Sequence, residues 1–550
     1  MTAGHSIPAR MPSTPAPARP VWFRWLVGAF FGLLTLLGVA LHRDYGVGWD
    51  EQLDRLNGII NAKYVALKLA PALAHRQATF AQIPDMSENQ DVDHGVFYQL
   101  PLVVLEKVAR VEDSRDVYFF RHLVIWLTCV AGTYAVYRVG ARYLSSGPWG
   151  LVVAASLVLS PRMFAESFYN YKDLVFLGFF TVGIGTLQRW LRRPTWPRAA
   201  LHAVAVGAAI DVRTMGVLLA ALTIGFAGLE AWARPALWRR LGAGLLLMAP
   251  LLVAVVIAGW PYLWEQPWQH FTAAFSSFSR YRADMLTLYL GQEISVRELP
   301  WHYVPVWILV TTPLPYVALF LAGVAVVVAA AVRGPLVWLR TTAGRQDLLV
   351  LAWFFGPLLA IIVLHSVVYD GWRHLYFVYP ALLLLAGRGA QAAWRGWQRA
   401  TTRPALLAGY AAAGLLVLGL GHTALRMVLD HPYQNVYFSF LPGPTAERLF
   451  ERDYWGLSGR EGVEWIMAHD SSATVTVATE ARTALMLHNA QLLLPPKERA
   501  RLSMVPPAQA RYFLTTYRWH PGPYPDFLGR EVYVRRVNGL KLLSVFEKNR

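Results

Sequence analysis

The sequence predicts an α-helical polytopic membrane protein that ends in a small α/β domain. Three observations point there. Hydrophobic residues make up 55% of the 550-residue chain and charged residues only 15%, against about 25% charged in soluble domains. Apolar runs of roughly 20 residues recur along most of the length, each enough to cross about 30 Å of hydrocarbon. Arginines gather in every second connection between these runs, at Arg138 and Arg142, Arg189 to Arg198, Arg234 to Arg240, Arg333 to Arg345 and Arg388 to Arg403, where acids are almost absent. That alternation is the positive-inside pattern. It explains the net charge of +17 through topology and contact with anionic lipid. No one domain concentrates basic residues with aromatics, which argues against nucleic acid as a partner. No strand-period alternation runs through the apolar part, which argues against a barrel.

Residues 1–20 are rich in Pro, Ala and Arg and read as a disordered cytoplasmic tail. The run 21–42 has no small-residue cleavage signal behind it, so it reads as a retained span running outward. A long outer loop, 43–119, follows. Spans are expected at 120–140, 148–165 and 174–190. The runs 199–212 and 214–232 are short, with Asp211 and Arg213 at the turn between them; they read as two spans or as one long tilted helix. Further spans are expected at 241–260, 303–332, 347–368, 374–390 and 404–422, with a second outer loop at 261–302. About 11 spans result. They make a membrane unit over 21–422 in the plasma (inner) membrane, with the N-terminus cytoplasmic.

The tail 423–550 changes character and is placed outside. Ala473–Ala478, Tyr512–Thr516 and Leu540–Phe546 read as strands, and Gly459–His469 and Thr479–His488 as helices. These elements fit an extracytoplasmic α/β domain. In the first outer loop Leu53, Leu56, Ile59, Ile60, Tyr64 and Leu67 recur at helical spacing, as in an amphipathic helix lying in the interface. Cys129 is the only cysteine, so no intramolecular disulfide or thiolate metal site can form.

Charges at the outer ends of spans carry the candidate chemistry. Asp50 and Glu51 follow the first span. Asp50 is either the N-cap of the interfacial helix or a general base whose carboxyl is tuned by burial. Asp54 lies one turn later. Tyr169-Asn170-Tyr171-Lys172-Asp173 precedes the fourth span. Asp173 would add a second acid, for an acceptor or a divalent metal, and Lys172 a point charge for phosphate; the plainer alternative is a neutralised interfacial pair. Asp370-Gly371-Trp372-Arg373-His374 precedes a late span. Arg373 there is an outward arginine, either an anion site that grips phosphate in two places or a side chain snorkelling to headgroups. His302, in Trp301-His302-Tyr303-Val304-Pro305, and His94 are weaker candidates for substrate contact. No spacing forms a zinc or EF-hand signature, so a metal at Asp50 and Asp173 is open but not demanded.

Taken in order, the acidic pair after the first span, the Tyr-Asn-x-Lys-Asp stretch, Trp-His-Tyr-x-Pro and Asp-Gly-x-Arg-His resemble polyprenyl-phosphate-sugar glycosyltransferases of the GT-C fold, relatives of the dolichyl-phosphate-mannose–protein mannosyltransferases and the lipid A aminoarabinose transferases. The resemblance covers about 21–420, and His431-Pro432-Tyr433-Gln434 through Asp453-Tyr454-Trp455-Gly456 is similar to a bacterial branch. It implies an inverting transfer from a polyprenyl-phosphate-linked sugar to a protein, lipid or glycan hydroxyl. Asp50, Glu51 and Asp173 would serve catalysis, and Arg373, His374 and Lys172 would hold the donor phosphate. Tyr169, Asn170, His94 and His302 would be substrate contacts. The chain lacks an evident β-trefoil insertion, which weakens protein as acceptor. Two other functions remain open at this point: a polytopic transporter, or a lipid-carrier binding protein without catalysis.

Overall fold

The computed structural model describes residues 20–548, apart from 90, 93, 280–284, 521 and 526–527. Almost all of the expected N-terminal tail, residues 1–19, lies outside the described residues. Among the described residues, eight helices are long and apolar enough to cross a membrane: Val21–Leu41, Ser114–Tyr143, Tyr171–Arg192, Thr214–Ala233, Pro235–Gly259, Leu314–Val332, Thr342–Leu364 and Arg403–Leu429. A ninth crossing is formed if the bent pair Gly147–Val158 and Pro161–Tyr169 counts as one span; its two halves meet at 71°. Ser160 adopts an extended backbone before Pro161, since proline disfavours the helical region for the residue before it.

Two expected spans differ in detail. The run 303–332 is split into Tyr303–Thr311 and Leu314–Val332, with Thr312 extended before Pro313 for the same steric reason. The run 199–232 is two helices, Trp196–Val212 and Val217–Ala233, broken at Arg213. Trp196–Val212 has only 17 residues, and Tyr379–Gln398 carries Arg388 and Arg395 in its second half. Neither is among the eight, and together with the bent pair at Ser160 they account for the difference from the expected 11.

The helix Tyr171–Arg192 is the most enclosed, whereas the apolar stretch of Arg403–Leu429 is exposed throughout, as a lipid-facing helix requires. Close helix contact depends on small residues. A Cβ on Gly323 would stand 1.8 Å from the Leu385 carbonyl oxygen, so only glycine lets Leu314–Val332 press against Tyr379–Gln398.

The helix expected in the first outer loop is present as Glu51–Leu69, and Ile60 on its buried face lies among polar residues. Its buried face carries Glu51, Asp54, Asn57 and Asn61, while Leu53 and Leu56 are exposed. Asn57 anchors that face, accepting from Asn61 Nδ2 and Asn89 Nδ2, both at 2.8 Å.

The tail forms a five-stranded sheet. We name its strands after a short hairpin of β1 (Leu286–Tyr289) and β2 (Gln292–Ser295): β3 (Val475–Ala478), β4 (Leu502–Met504), β5 (Tyr512–Thr516), β6 (Arg530–Val537) and β7 (Leu540–Glu547). Their order is β4-β3-β5-β7-β6, parallel around β3 and antiparallel around β7. β4 and β6 add to the three strands expected from sequence. The preceding helix runs to Leu429, past the expected boundary at 422. The tail clamps the first loop: Trp49 N donates to the Trp455 carbonyl at 3.1 Å, Asn489 Nδ2 to the Gly48 carbonyl at 3.0 Å, and Arg499 pairs with Asp113 at 3.1 Å.

Candidate functional site

Asp50 occupies the N-cap position of Glu51–Leu69, yet its side chain makes no capping hydrogen bond. Its Oδ2 instead accepts from Arg373 Nη1 at 2.9 Å. The capping alternative for Asp50 is therefore corrected: a guanidinium competes better for the carboxylate than a backbone amide does. Arg373 is buried and does not snorkel. Besides Asp50 it pairs with Asp370 Oδ2 at 3.0 Å and Asp173 Oδ2 at 3.7 Å, and its guanidinium lies 4.9 Å above the Trp455 ring.

Three neighbouring elements complete the cluster. Lys172 Nζ pairs with Asp54 Oδ1 at 2.5 Å. Arg213, from the break between two helices, pairs with Asp173. Arg518, from the loop after β5, pairs with Asp370 and lies 3.4 Å from Glu451 Oε2. Its guanidinium stacks over Trp519 and Trp49, so the tail closes the site over Asp50. The π-turn Tyr171–Val175 positions Lys172 and Asp173. It is shaped by Asn170, whose Oδ1 accepts from Asp173 N at 3.0 Å while its Nδ2 donates to Glu166 at 2.7 Å and Asp173 at 2.9 Å.

Burial alone would raise the Asp50 carboxyl, but Arg373 and Lys172, helped by His94, hold it down at about 2. Asp54 behaves in the opposite way. Burial raises it to about 7, because attraction to Lys172 is partly cancelled by repulsion from Asp50. Burial lowers His374 well below the usual imidazole range, and Arg213, Arg373 and Lys172 push the same way. Its surroundings therefore favour the neutral ring.

The structure brings together Asp50, Lys172, Asp173, Arg373 and His374 from the sequence-predicted set, with His94 nearby. Others stand apart. Glu51 turns away, accepting from Gly48 N at 2.6 Å and meeting His122 Nε2 at 3.1 Å, so it orients the loop before Asp50. Asn170 spends its amide on the turn. The Tyr169 ring packs edge-on to Trp455 at 5.6 Å. His302 meets the Tyr289 hydroxyl at 2.6 Å on the β1–β2 hairpin. Arg373 lies between Asp50 and Asp173, where a divalent ion bridging them would sit, and among the described residues no three metal-ligating side chains converge.

Asp54, Arg213, Asp370, Glu451 and Arg518 join the site without having been assigned to it from sequence. Arg213 carried a signal, as a second outward arginine at a helix break. Arg518 carried none, because its partner Asp370 lies 148 residues away. No protein-family model matches this chain, and a search of curated proteins gives no match.

Proposed function

We propose that the chain is an inverting glycosyltransferase of the membrane that moves a sugar from a polyprenyl-phosphate carrier to a hydroxyl acceptor. One observation carries this reading: Asp50 and Arg373, a carboxylate and a guanidinium suited to phosphate, meet at 2.9 Å where three helix ends converge. The same cluster holds Lys172 and Arg213. Its charges lie at helix ends, unlike the mid-membrane sites of transporters. The arginine asymmetry supports an orientation with the cluster and the α/β tail outside the inner membrane.

The pair is in direct contact, so the donor phosphate enters by competing with Asp50 for Arg373. Phosphate binding there frees the carboxylate from its strongest stabilising partner. Burial is then opposed only by Lys172 and His94, and the basicity of Asp50 rises. Donor binding thereby activates the base. The freed carboxylate takes the acceptor proton, the acceptor oxygen bonds to the anomeric carbon from the face opposite the phosphate, and the bond to the phosphate breaks. The negative charge departs on polyprenyl phosphate, next to Arg373, Lys172 and Arg213.

One observation favours a second function, binding of a lipid carrier without catalysis. Every cation of the cluster already has an acid partner, so these pairs can serve to lock the loop, helices and tail together. Purified protein supplied with polyprenyl-phosphate sugars and water or an alcohol as acceptor separates the two. Release of polyprenyl phosphate that disappears in folded Asp50→Asn supports transfer. Tight donor binding with no release by the wild type supports the carrier-binding function.

A further inference from the structure

A second charged constellation lies at the opposite end of the bundle. Sixteen positions separate Asp173 from Arg189 along one helix, roughly 24 Å at the rise of an α-helix. There a cavity of about 440 Å³ opens between Ser114–Tyr143, Tyr171–Arg192 and Trp196–Val212, lined by Arg142, Thr186, Arg189, Arg192, Arg193 and Arg198. No acid lines it. This is the reverse of the Asp50 cluster, where each cation has a carboxylate.

Two of the arginines are held in place by neutral acceptors. Arg142 Nη1 donates to the Gly185 carbonyl at 2.7 Å and to Gln188 Oε1 at 3.3 Å. Arg198 Nη1 donates to the carbonyls of Arg189 and Arg193 at 3.3 and 3.2 Å. Thr186, on the wall, is fixed by His202 at 2.8 Å. Arg142 is also repelled by Arg138, Arg189 and Arg192. Five like charges around one space raise the energy of the empty site, and an anion of multiple charge relieves that repulsion.

We propose that this cavity binds a phosphate-bearing anion, presented either by a lipid headgroup or by a soluble phosphate compound. Guanidinium groups grip phosphate oxygens in pairs, and several converging on one point suit a monoester or diphosphate better than a single carboxylate. The volume accommodates a headgroup. Basic pockets between spans at the cytoplasmic face are where anionic lipids dock. Exposed Leu201, on the wall of the cavity, offers the apolar contact an acyl chain needs. The site is independent of the glycosyl-transfer reading.

Equilibrium binding to the purified full-length chain tests it, with inorganic pyrophosphate as the soluble probe and phosphatidic acid in neutral-detergent micelles as the lipid probe. Arg192→Gln/Arg193→Gln alters exposed side chains and leaves the helix contacts intact. The expected result is saturable binding of at least one probe, weakened about tenfold or more in that variant, as the loss of one charged pair implies. The control Arg395→Gln/Arg399→Gln, at another basic connection, should bind as the wild type does. Arg142→Lys keeps the charge but loses the fork and should weaken binding by a smaller factor. The probe that binds names the source of the phosphate. No binding of either probe, equal binding by wild type and Arg192→Gln/Arg193→Gln, or an equal loss in the control would overturn the site.

Discussion

Asp50 Oδ2 and Arg373 Nη1 meet at 2.9 Å across 323 positions of sequence. If this pair is the heart of a transferase, Asp50→Asn keeps the shape and removes the base. Transfer should fall by about 10²- to 10⁴-fold while donor affinity is kept or improved, because the amide competes less for Arg373. Single-turnover rates and donor binding measured on the same preparation check both halves.

Arg373→Ala leaves Asp50, Asp370 and Asp173 without their shared cation. Removing one partner of a buried ion pair costs about 3–5 kcal/mol. A clear drop in the thermal unfolding midpoint in detergent is expected, with Arg373→Lys recovering only part of it, since an ammonium cannot reach several carboxylates as a planar fork does. An unchanged midpoint for Arg373→Ala would show that the cluster does not hold the fold.

Asp54 makes the pH dependence testable. Its carboxyl is raised by burial to about 7 in the folded chain and returns to about 3.9 when unfolded. Between those values the folded state holds the extra proton. This group's contribution to stability is therefore full below about pH 4 and declines as pH rises through 7. Denaturation of wild type and Asp54→Asn across pH 4–8 should show the wild type losing stability relative to the variant as pH rises. A difference that does not vary with pH would refute the raised carboxyl.

Gly323→Ala tests the packing of the bundle. The added Cβ meets the Leu385 carbonyl, and overpacking of this kind costs about 1–3 kcal/mol. Gly228→Ala, where a Cβ meets nothing within 4 Å, should be neutral or slightly stabilising. Paired melting curves of the two variants decide it.

Orientation can be read with cysteine labelling. Cys129 is the sole thiol and is buried, so a Cys129→Ala background is silent. Arg193→Cys and Arg399→Cys should react with a membrane-impermeant reagent only after the membrane is opened, and Lys497→Cys in intact spheroplasts. The reverse pattern would invert the topology.

Much of the architecture was legible in local patterns. Hydropathy and arginine asymmetry are properties of short windows, so the long apolar helices, the helix from Glu51 and the strands at Val475, Tyr512 and Leu540 could be read directly. Proline breaks were less visible. The split at Pro313 and the bend at Pro161 interrupt runs whose hydropathy is continuous. The polar inward face of Glu51–Leu69 was hidden too, because hydrophobic spacing alone does not say which side meets lipid.

The sequence by itself determined the class of the protein, the chain positions of its unusual charges and three of the five strands of its tail, because each depends on residues within a helix turn or a strand of one another. Only the tertiary structure decided who pairs with whom. That Arg373 answers Asp50, that Lys172 answers Asp54, and that Arg518 arrives from the tail to close over Trp49 depend on packing between distant segments. A buried charge is costly wherever it lies, and its partner is chosen by the fold that brings an opposite charge within reach.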